Sequence, residues 1–507
     1  MFASISSAVL IGAAGQPITV EVHVGQGIPG FTIVGLPDES IREARDRVRA
    51  AVMSSGQDWP RHRITIGLAP SQERKTGSGL DLAIAVGVLV ATEVITPEAV
   101  DGLAFIGELG LDGSIRPVRG VAPMVGTLGA ADVVVPVGSA VEARVAALGR
   151  VRLVRQLDEL VGVLAHQLPW PDHEPPPRPP ETTATPDMAE VHGQPLARLA
   201  LEIAAAGGHH TLFVGPPGSG KTMLASRLPG LLPALERDRA LEATMIHSAA
   251  GVSLPPSGLV ERPPFRAPHH TSSMVSVIGG GSNHPRPGAV SLAHCGVLFL
   301  DEIAEFPAMV LDSLRQPLEE GVVRVGRAKV NVDLPADFLL VAAMNPCPCG
   351  GGGGPGDCVC ADAALQRYAR RLSGPLVDRF DLRVGVTRPA IDELLAIEPN
   401  ESTEVVAARV AVARSTATHR QGGLNRSIRV RDLDEVAPLE PAARAVLRRE
   451  LEFERLSGRG YHRVRRVART IADLRDAGDE PVAESDVALA LELRTGLRGA
   501  FRSGRAA

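Results

Sequence analysis

Aromatic side chains are scarce. Phe, Trp and Tyr together make 3% of the 507 residues, so stacking of nucleobases on rings is excluded as a main route to nucleic acid. Five cysteines are too few for the disulfide framework of a secreted protein. No apolar run reaches the roughly 18 residues that span a bilayer, so no membrane partner is expected. Basic charge is not in excess either: 53 Lys and Arg stand against 58 Asp and Glu, a net charge of −5. A polyanion could then be held only by a local basic surface. Residues 1–15 are apolar and small, yet lack the cationic n-region of a secretory signal. They run into the alternation Ile18-Thr19-Val20-Glu21-Val22-His23-Val24, which is a strand pattern.

What is present is an ordinary globular composition, 44% hydrophobic and 22% charged, with length for about three domains. One stretch stands out, Gly215-Pro216-Pro217-Gly218-Ser219-Gly220-Lys221-Thr222. An apolar run, Thr211-Leu212-Phe213-Val214, precedes it, and a helix-like run, Met223-Leu224-Ala225-Ser226-Arg227-Leu228, follows. Glycines let the backbone N–H groups wrap a phosphate chain, and the helix N-terminus adds its dipole. Lys221 reaches the outer phosphates, and the Thr222 hydroxyl ligates Mg²⁺. Further on, Gly296-Val297-Leu298-Phe299-Leu300-Asp301-Glu302 reads as a buried strand ending in two carboxylates. Asp301 suits the Mg²⁺ shell, and Glu302 suits orienting and polarising the attacking water. A P-loop sheet sets such strand ends side by side. A third strand over 338–344 ends in Asn345, whose amide can contact a γ-phosphate or the water; a turn Asn before Pro346 is the alternative. A chain that uses ATP needs a supply of it, so a cytoplasmic location with reduced thiols is expected.

Residues 1–165 alternate short strands (near 18–24, 31–35, 63–68, 103–109 and 132–135) with helical stretches (39–55, 79–92, 118–129 and 139–147). That is an α/β or α+β pattern. Residues 166–187 hold Pro169, Pro171, Pro175, Pro176, Pro177, Pro179, Pro180 and Pro186 and read as an extended linker. Residues 188–392 carry the phosphate loop and the carboxylates. Residues 393–507 are helical by the recurrence of Arg, Leu, Val and Ala at three- and four-residue spacing.

A series of further motifs stands in order along the chain. They are Val191-His192-Gly193-Gln194, Ala204-Ala205-Ala206-Gly207-Gly208-His209, Phe265-Arg266-Ala267-Pro268-His269-His270-Thr271, Gly279-Gly280-Gly281 and Pro287-Gly288-Ala289-Val290-Ser291-Leu292-Ala293-His294. After them come Met344-Asn345-Pro346-Cys347-Pro348-Cys349-Gly350, Ser373-Gly374-Pro375-Leu376-Val377-Asp378-Arg379-Phe380-Asp381 and Ala468-Arg469-Thr470-Ile471-Ala472-Asp473-Leu474. With the phosphate loop, these make nearly the whole chain resemble AAA+ ATPases of the magnesium-chelatase-like group called ComM or YifB. The fold class implied is α/β, an AAA+ P-loop NTPase core with a helical lid. The cofactors implied are ATP and Mg²⁺. By the same resemblance Asn345 is sensor 1. Arg379, in an SRFD-like motif shared with replicative MCM helicases, is an arginine finger that reaches a neighbouring subunit's ATP, an effect worth about 10³–10⁵ in rate. A salt bridge to Asp378 or Asp381 is the structural alternative. A finger in trans implies a ring, by implication a homo-hexamer. Sensor 2 falls best on Arg459, with Arg463 and Arg466 as rivals.

The resemblance also implies a helix-2 insert over about 255–290 and a hairpin over about 320–334. In related translocases such hairpins face a central channel and hold the DNA backbone. Strand alternation sets Arg324 on one face and Arg327 with Lys329 on the other, unless Gly326 forms the tip. Their phosphate contacts would be salt-dependent and sequence-independent; a solvated hairpin with surface charges is the alternative. The first domain resembles the Lon proteolytic domain, an α+β fold, and the similar domain of RadA. Lon's serine position falls on Gly79, beside Ser78, and its lysine position on Ala122. A Ser–Lys dyad is therefore missing, and the domain is expected to be inactive in proteolysis, serving ring assembly or DNA contact through Arg74, Lys75 and Arg119.

Cys347, Cys349, Cys358 and Cys360 form CPC-x8-CVC. Four thiolates suit a structural Zn²⁺, although CxC is tighter than the usual CxxC; loose surface thiols or a redox pair are the alternatives. Cys295 reads as core. His269 and His270 read as structural or DNA-facing, since no carboxylate or cysteine stands at ligand spacing. The function expected is an ATP-hydrolysing hexameric DNA motor, a helicase or branch-migration enzyme in homologous recombination or natural transformation. Its rivals are a chelatase-type motor subunit acting on a protein partner, an ATP-dependent protease, and a nucleotide-binding scaffold or chaperone.

Overall fold

A computed structural model describes residues 1–71, 75, 77–174, 186–281, 285–327, 330–351, 358–390, 392–393 and 400–495. The chain begins with two long strands, Phe2–Ile11 and Ala14–Gly25, paired antiparallel from Phe2 opposite His23 to Ile11 opposite Ala14. The apolar opening stretch is thus one arm of a hairpin, and its alternate residues Ala3, Ile5 and Val9 are buried. The hairpin lies within a mixed sheet ordered Gly30–Val34, Arg63–Ala69, Ala14–Gly25, Phe2–Ile11, Leu103–Phe105, Asp132–Pro136 and Val151–Val154. Alternation serves two cores: Val134 joins the helices Glu39–Ser54 and Asp81–Ala91, while Val133 and Val135 join Val121–Gly126 and Ala140–Ala146 on the other face. Asp81–Ala91 is buried on every side, as a helix apolar all round must be. The start of the proline-rich segment lies against this unit. Trp170 packs into its core and under the Arg152 guanidinium, 4.9 Å away, and His173 Nε2 lies 2.7 Å from Glu159 Oε1.

The central unit is built on five parallel strands, ordered Phe265–Arg266, Val297–Leu300, Leu339–Met344, Thr211–Val214 and Leu382–Gly385. The runs Val297–Leu300, Leu339–Met344 and Thr211–Val214 are buried throughout, which is why they read as continuous apolar stretches. On one face, Pro195–Gly207 and Lys221–Leu231 share a core with Thr403–Gln421, Pro441–Glu452, Gly458–Leu474 and Glu484–Thr495. Val464, Val467, Ala468 and Ile471 form the inward stripe of Gly458–Leu474 at helical spacing.

The insert is made of short pieces: the helix Met274–Ile278, then Gly279–Gly280 paired antiparallel with Arg286–Pro287. The hairpin pairs Val322–Arg327 with Val330–Pro335. Gly326 stands opposite Asn331, inside the paired strands. Val323, Val325, Val332 and Leu334 are buried. The first unit is docked onto the core. Gly12, at its left-handed turn (φ 65°), has Val332 and Leu334 where a Cβ would stand. The Ala122 N–H donates to Ser248 Oγ at 3.3 Å, and that hydroxyl donates to Glu142 at 2.8 Å.

Candidate active site

Strand register assembles the site. Val214 lies beside Met344, and Leu300 beside Ala342, so Gly215, Asn345 and the pair Asp301-Glu302 leave the sheet at one edge. Gly218 and Gly220 have φ of 75° and 87°, backbone that glycine adopts freely. Lys221 Nζ donates to Gly215 O (2.8 Å), Pro216 O (2.9 Å) and Asn345 Oδ1 (3.2 Å). Burial depresses its pKa. Thr222 Oγ1 donates to Asp301 Oδ2 at 2.7 Å. Pro217, Gly218, Lys221, Thr222, Glu302 and Asn345 line a cavity of about 450 Å³. Ser219 is buried, and its carbonyl accepts from Gln194 Nε2 at 2.6 Å; the same amide reaches Thr387 O at 3.1 Å. Gln194 thereby ties the loop to the chain after the last strand, a contact nothing in its sequence neighbourhood announces.

Glu302 has a left-handed backbone, φ 47°, and its N–H donates to Asp301 Oδ1 at 2.9 Å. His270 Nδ1 lies 3.3 Å from Glu302 Oε2, and the His269 ring stands 4.2 Å from that of His270. His270 thus has a carboxylate partner after all, brought by the insert rather than by sequence spacing. The donor set fits a magnesium nucleotide. A hydroxyl and a carboxylate are hard oxygen ligands. Lysine and the helix N-terminus suit phosphates, and a Cβ on Gly218 would meet nothing within 4 Å.

Arg379 lies in a different cleft, of about 840 Å³, with Arg459, Arg463 and Arg466. None of the four lines the phosphate-loop cavity. The Arg379 guanidinium pairs with Glu319, a partner the sequence did not suggest. Of the two carboxylates expected as alternatives, Asp378 pairs with Arg383 at 3.4 Å. Asp381 is held by Arg463 at 2.5 Å and His209 at 3.4 Å. Burial alone would raise the Asp381 carboxyl; the His209 hydrogen bond and the Arg463 charge outweigh it and hold the group far below the usual carboxylate range. Arg466 donates to Ile428 O at 2.9 Å. Arg459 is exposed and makes no hydrogen bond or ion pair among the described residues.

On the hairpin, Arg324 is exposed but paired with Glu320 at 2.8 Å. Arg327 pairs through its backbone with Val330; its side chain, and Lys329, lie outside the described residues, as does Arg74. Lys75 is fully buried and donates to Pro70 O, which corrects its expected place on a DNA-contacting surface. At the positions matching Lon's dyad, Ser78 donates to Glu108, and Ala122 is fully buried against the core helix Arg237–Ala250.

The sulfurs of Cys347, Cys349, Cys358 and Cys360 lie within 4.8 Å of one another. The Gly351 N–H, then Cys347, lower the Cys349 thiol to about 6, while the Cys349 hydrogen bond pushes Cys360 up to about 12. Four sulfurs so gathered suit a tetrahedral metal. A Cβ on Gly350, in the same loop, would fall 2.8 Å from Pro217 Cγ, so the loop rests on the phosphate loop. Cys295 is half-buried rather than core, at φ 62°, and burial pushes its thiol up to about 12.

Three adjacent strand ends carrying a phosphate loop, paired carboxylates and an asparagine, closed by a helical unit, define a P-loop NTPase of the AAA+ class. Residues 187–394 match the family described as magnesium chelatase, subunit ChlI. Residues 20–139 match subunit ChlI of Mg-chelatase, and 400–494 its C-terminal family. An uncharacterized protein of Mycobacterium tuberculosis is 44% identical over 96% of this chain and 97% of its own. The uncharacterized protein YifB of Escherichia coli is 40% identical over 92% of each chain, and the competence protein ComM of Haemophilus influenzae 38% over 96% of each. A partial match, 29% over 31% of the chain, links it to Lon protease 2 of Bacillus subtilis. The chain belongs to the YifB and ComM family of magnesium-chelatase-type AAA+ proteins. The AAA+ class implies use of ATP and Mg²⁺ and indicates ATPase activity. Among the described residues no helix is long and apolar enough to cross a membrane.

Proposed function

We propose that the chain is the subunit of a cytoplasmic, ATP-hydrolysing homo-hexamer that moves DNA in recombination or transformation. The observation that carries this reading is the separation of Arg379 and Arg459 from the chain's own phosphate-loop cavity. Among the described residues the cavity is lined by Lys221, Thr222, Asp301, Glu302 and Asn345 and by no arginine, Arg388 reaching only the Pro217 carbonyl at 3.4 Å, so a neighbour completes the site. In this reading Thr222 and Asp301 hold Mg²⁺, which screens the phosphate charge, while Lys221 and the loop N–H groups bind the phosphates. Glu302 orients the attacking water and Asn345 fixes it against the terminal phosphate. Arg379 and the unpaired Arg459 both enter from the next subunit, so the lid arginine acts in trans beside the finger. Arg379 leaves Glu319 when the next subunit arrives.

DNA as the substrate is supported by the kinship with a competence protein, by the exposed Arg324 and by Arg327 and Lys329 in the sequence of the same hairpin. In the same reading residues 1–165 are a proteolytically inactive Lon-like domain, 166–187 a linker, 188–392 the motor and 393–507 its lid, and the four cysteines hold one Zn²⁺. The test is a mixing experiment. Arg379→Ala and Glu302→Gln subunits are each expected to be inactive alone, and their mixture to regain activity, because each supplies the part the other lacks. Absence of rescue would remove the trans assignment. ATPase activity indifferent to forked DNA would remove the DNA assignment and favour a chelatase-type motor acting on a protein.

A further inference from the structure

The first unit meets the core along a cleft of about 410 Å³ with apolar, acidic and basic lining. Leu10, Ile11, Val118 and Met124 give an apolar wall. Of its carboxylates, Glu108 accepts from the Ser78 hydroxyl and Asp38 from the Gly77 N–H. Its lining also holds two guanidiniums from different units. Arg119 precedes the helix Val121–Gly126, and its stem lies over Gly251 of the core. Arg286 opens the strand Arg286–Pro287 of the insert. After burial, the Arg286 charge is what depresses Arg119.

Among the described residues neither makes an ion pair or a side-chain hydrogen bond, and the Arg119 Nε is buried without a partner. Acids outnumber bases, 58 to 53, and Arg47, Arg227, Arg409, Arg420 and Arg463 each find a carboxylate. Two like charges facing each other in a half-closed cleft repel, and losing water costs each of them more. Both costs vanish if one anion is shared.

We propose that Arg119 and Arg286 form a phosphate-binding site at the seam between the first unit and the core. A carboxylate presents two oxygens in one plane and fills a single guanidinium fork. A tetrahedral phosphate offers oxygens in different directions and serves two forks at once. Glu108 and Asp38 in the same lining disfavour a second anion, so one phosphate is taken, at the two arginines. Because the two arginines belong to separate units, the ligand fastens the first unit to the insert that also carries His270. The phosphate comes either from the backbone of a nucleic-acid strand or from a free phosphate compound.

The test uses full-length protein carrying Glu302→Gln and saturated with ATP and Mg²⁺, so that the phosphate loop is filled. Two probes are titrated: a fluorescein-labelled oligothymidylate, followed by anisotropy at several salt concentrations, and inorganic pyrophosphate, followed by calorimetry. With a strand as the source, Arg119→Ala and Arg286→Ala each weaken oligothymidylate binding and lower the slope of log affinity against log salt by about one. With a free phosphate compound as the source, the pyrophosphate heat disappears in both variants and strand binding is unchanged. Arg119→Lys and Arg286→Lys retain binding in either case. ATPase activity of the two alanine variants without DNA, measured with Glu302 intact, stays at the parent level and shows that they are folded. The proposal is overturned if both alanine variants bind both probes like the parent, or if the parent binds neither. The pyrophosphate arm decides the site even where the DNA assignment fails.

Discussion

At the scale of single residues, Glu302 carries the most constraint. Its left-handed backbone costs a residue with a side chain on the order of 1 kcal/mol, and that cost is met by the Asp301 cap and the His270 contact. Asp301 and Glu302 were legible in the sequence because an apolar run ending in two acids after a phosphate loop has few other uses. His270 was not, because its partner is set by the sheet, which places the chain after Phe265–Arg266 beside Val297–Leu300. Glu302→Gln is expected to bind ATP and to hydrolyse it at least about 10²-fold more slowly. His270→Ala is expected to lower kcat while nucleotide affinity, read by a fluorescent ATP analogue, stays constant, since the imidazole touches the carboxylate and not the loop. A change in affinity with kcat intact would take His270 out of the hydrolytic step. The fate of Arg379 was equally hidden: Glu319 lies on the helix Arg315–Glu320, and no local pattern links the two.

At the scale of elements, strands were easiest to read. Buried parallel strands are continuous apolar runs, and the three that matter end in Gly215, Asp301 and Asn345. The cysteine loop shows both the reach and the limit of such reading. Its spacing suggested a metal, and the fold does gather the sulfurs; its seat on Pro217 required coordinates. If the cluster holds Zn²⁺, purified protein carries about one equivalent by elemental analysis, in keeping with a four-thiolate structural site. Cys349→Ser then loses the metal and loosens the loop that begins at Asn345. ATPase activity is expected to fall with it, because Lys221 Nζ leans on the Asn345 amide. Metal-free wild-type protein with full activity would break that link. In the lid, the spacing of Arg459, Arg463 and Arg466 left three candidates. Partners separate them: Arg463 is committed to Asp381 and Arg466 to a carbonyl, while Arg459 has no partner among the described residues.

For the whole molecule, buried histidines contribute a loss of stability in acid. His210 Nδ1 accepts from the Leu340 N–H at 3.0 Å, and burial, then the Arg426 charge, push its pKa down to about 3. Burial pushes His247 down to about 4. In the unfolded chain both protonate near pH 6.5. Between those values the unfolded state binds more protons, so stability is full above about 6.5 and is lost as pH falls toward 4 and 3. Thermal unfolding is expected to shift to lower temperature from pH 7 to pH 5. His210→Asn, which keeps an acceptor for Leu340 but does not titrate, is expected to flatten that slope; an unchanged slope would assign the acid loss elsewhere. The broad architecture was readable from alternation and the motif series. The docking of the first unit was not, since the Ala122 N–H on Ser248 and the Gly12 backbone against Val332 are main-chain contacts with no sequence signature.

That last contact bears on speed. The turn at Gly12 sits against the buried side of Val332 and Leu334, so the hairpin cannot flex as a free flap. If the hairpin moves with ATP turnover as proposed, it carries the first unit along, and its tempo is that of reorienting a domain, microseconds to milliseconds, rather than the nanoseconds open to a loop.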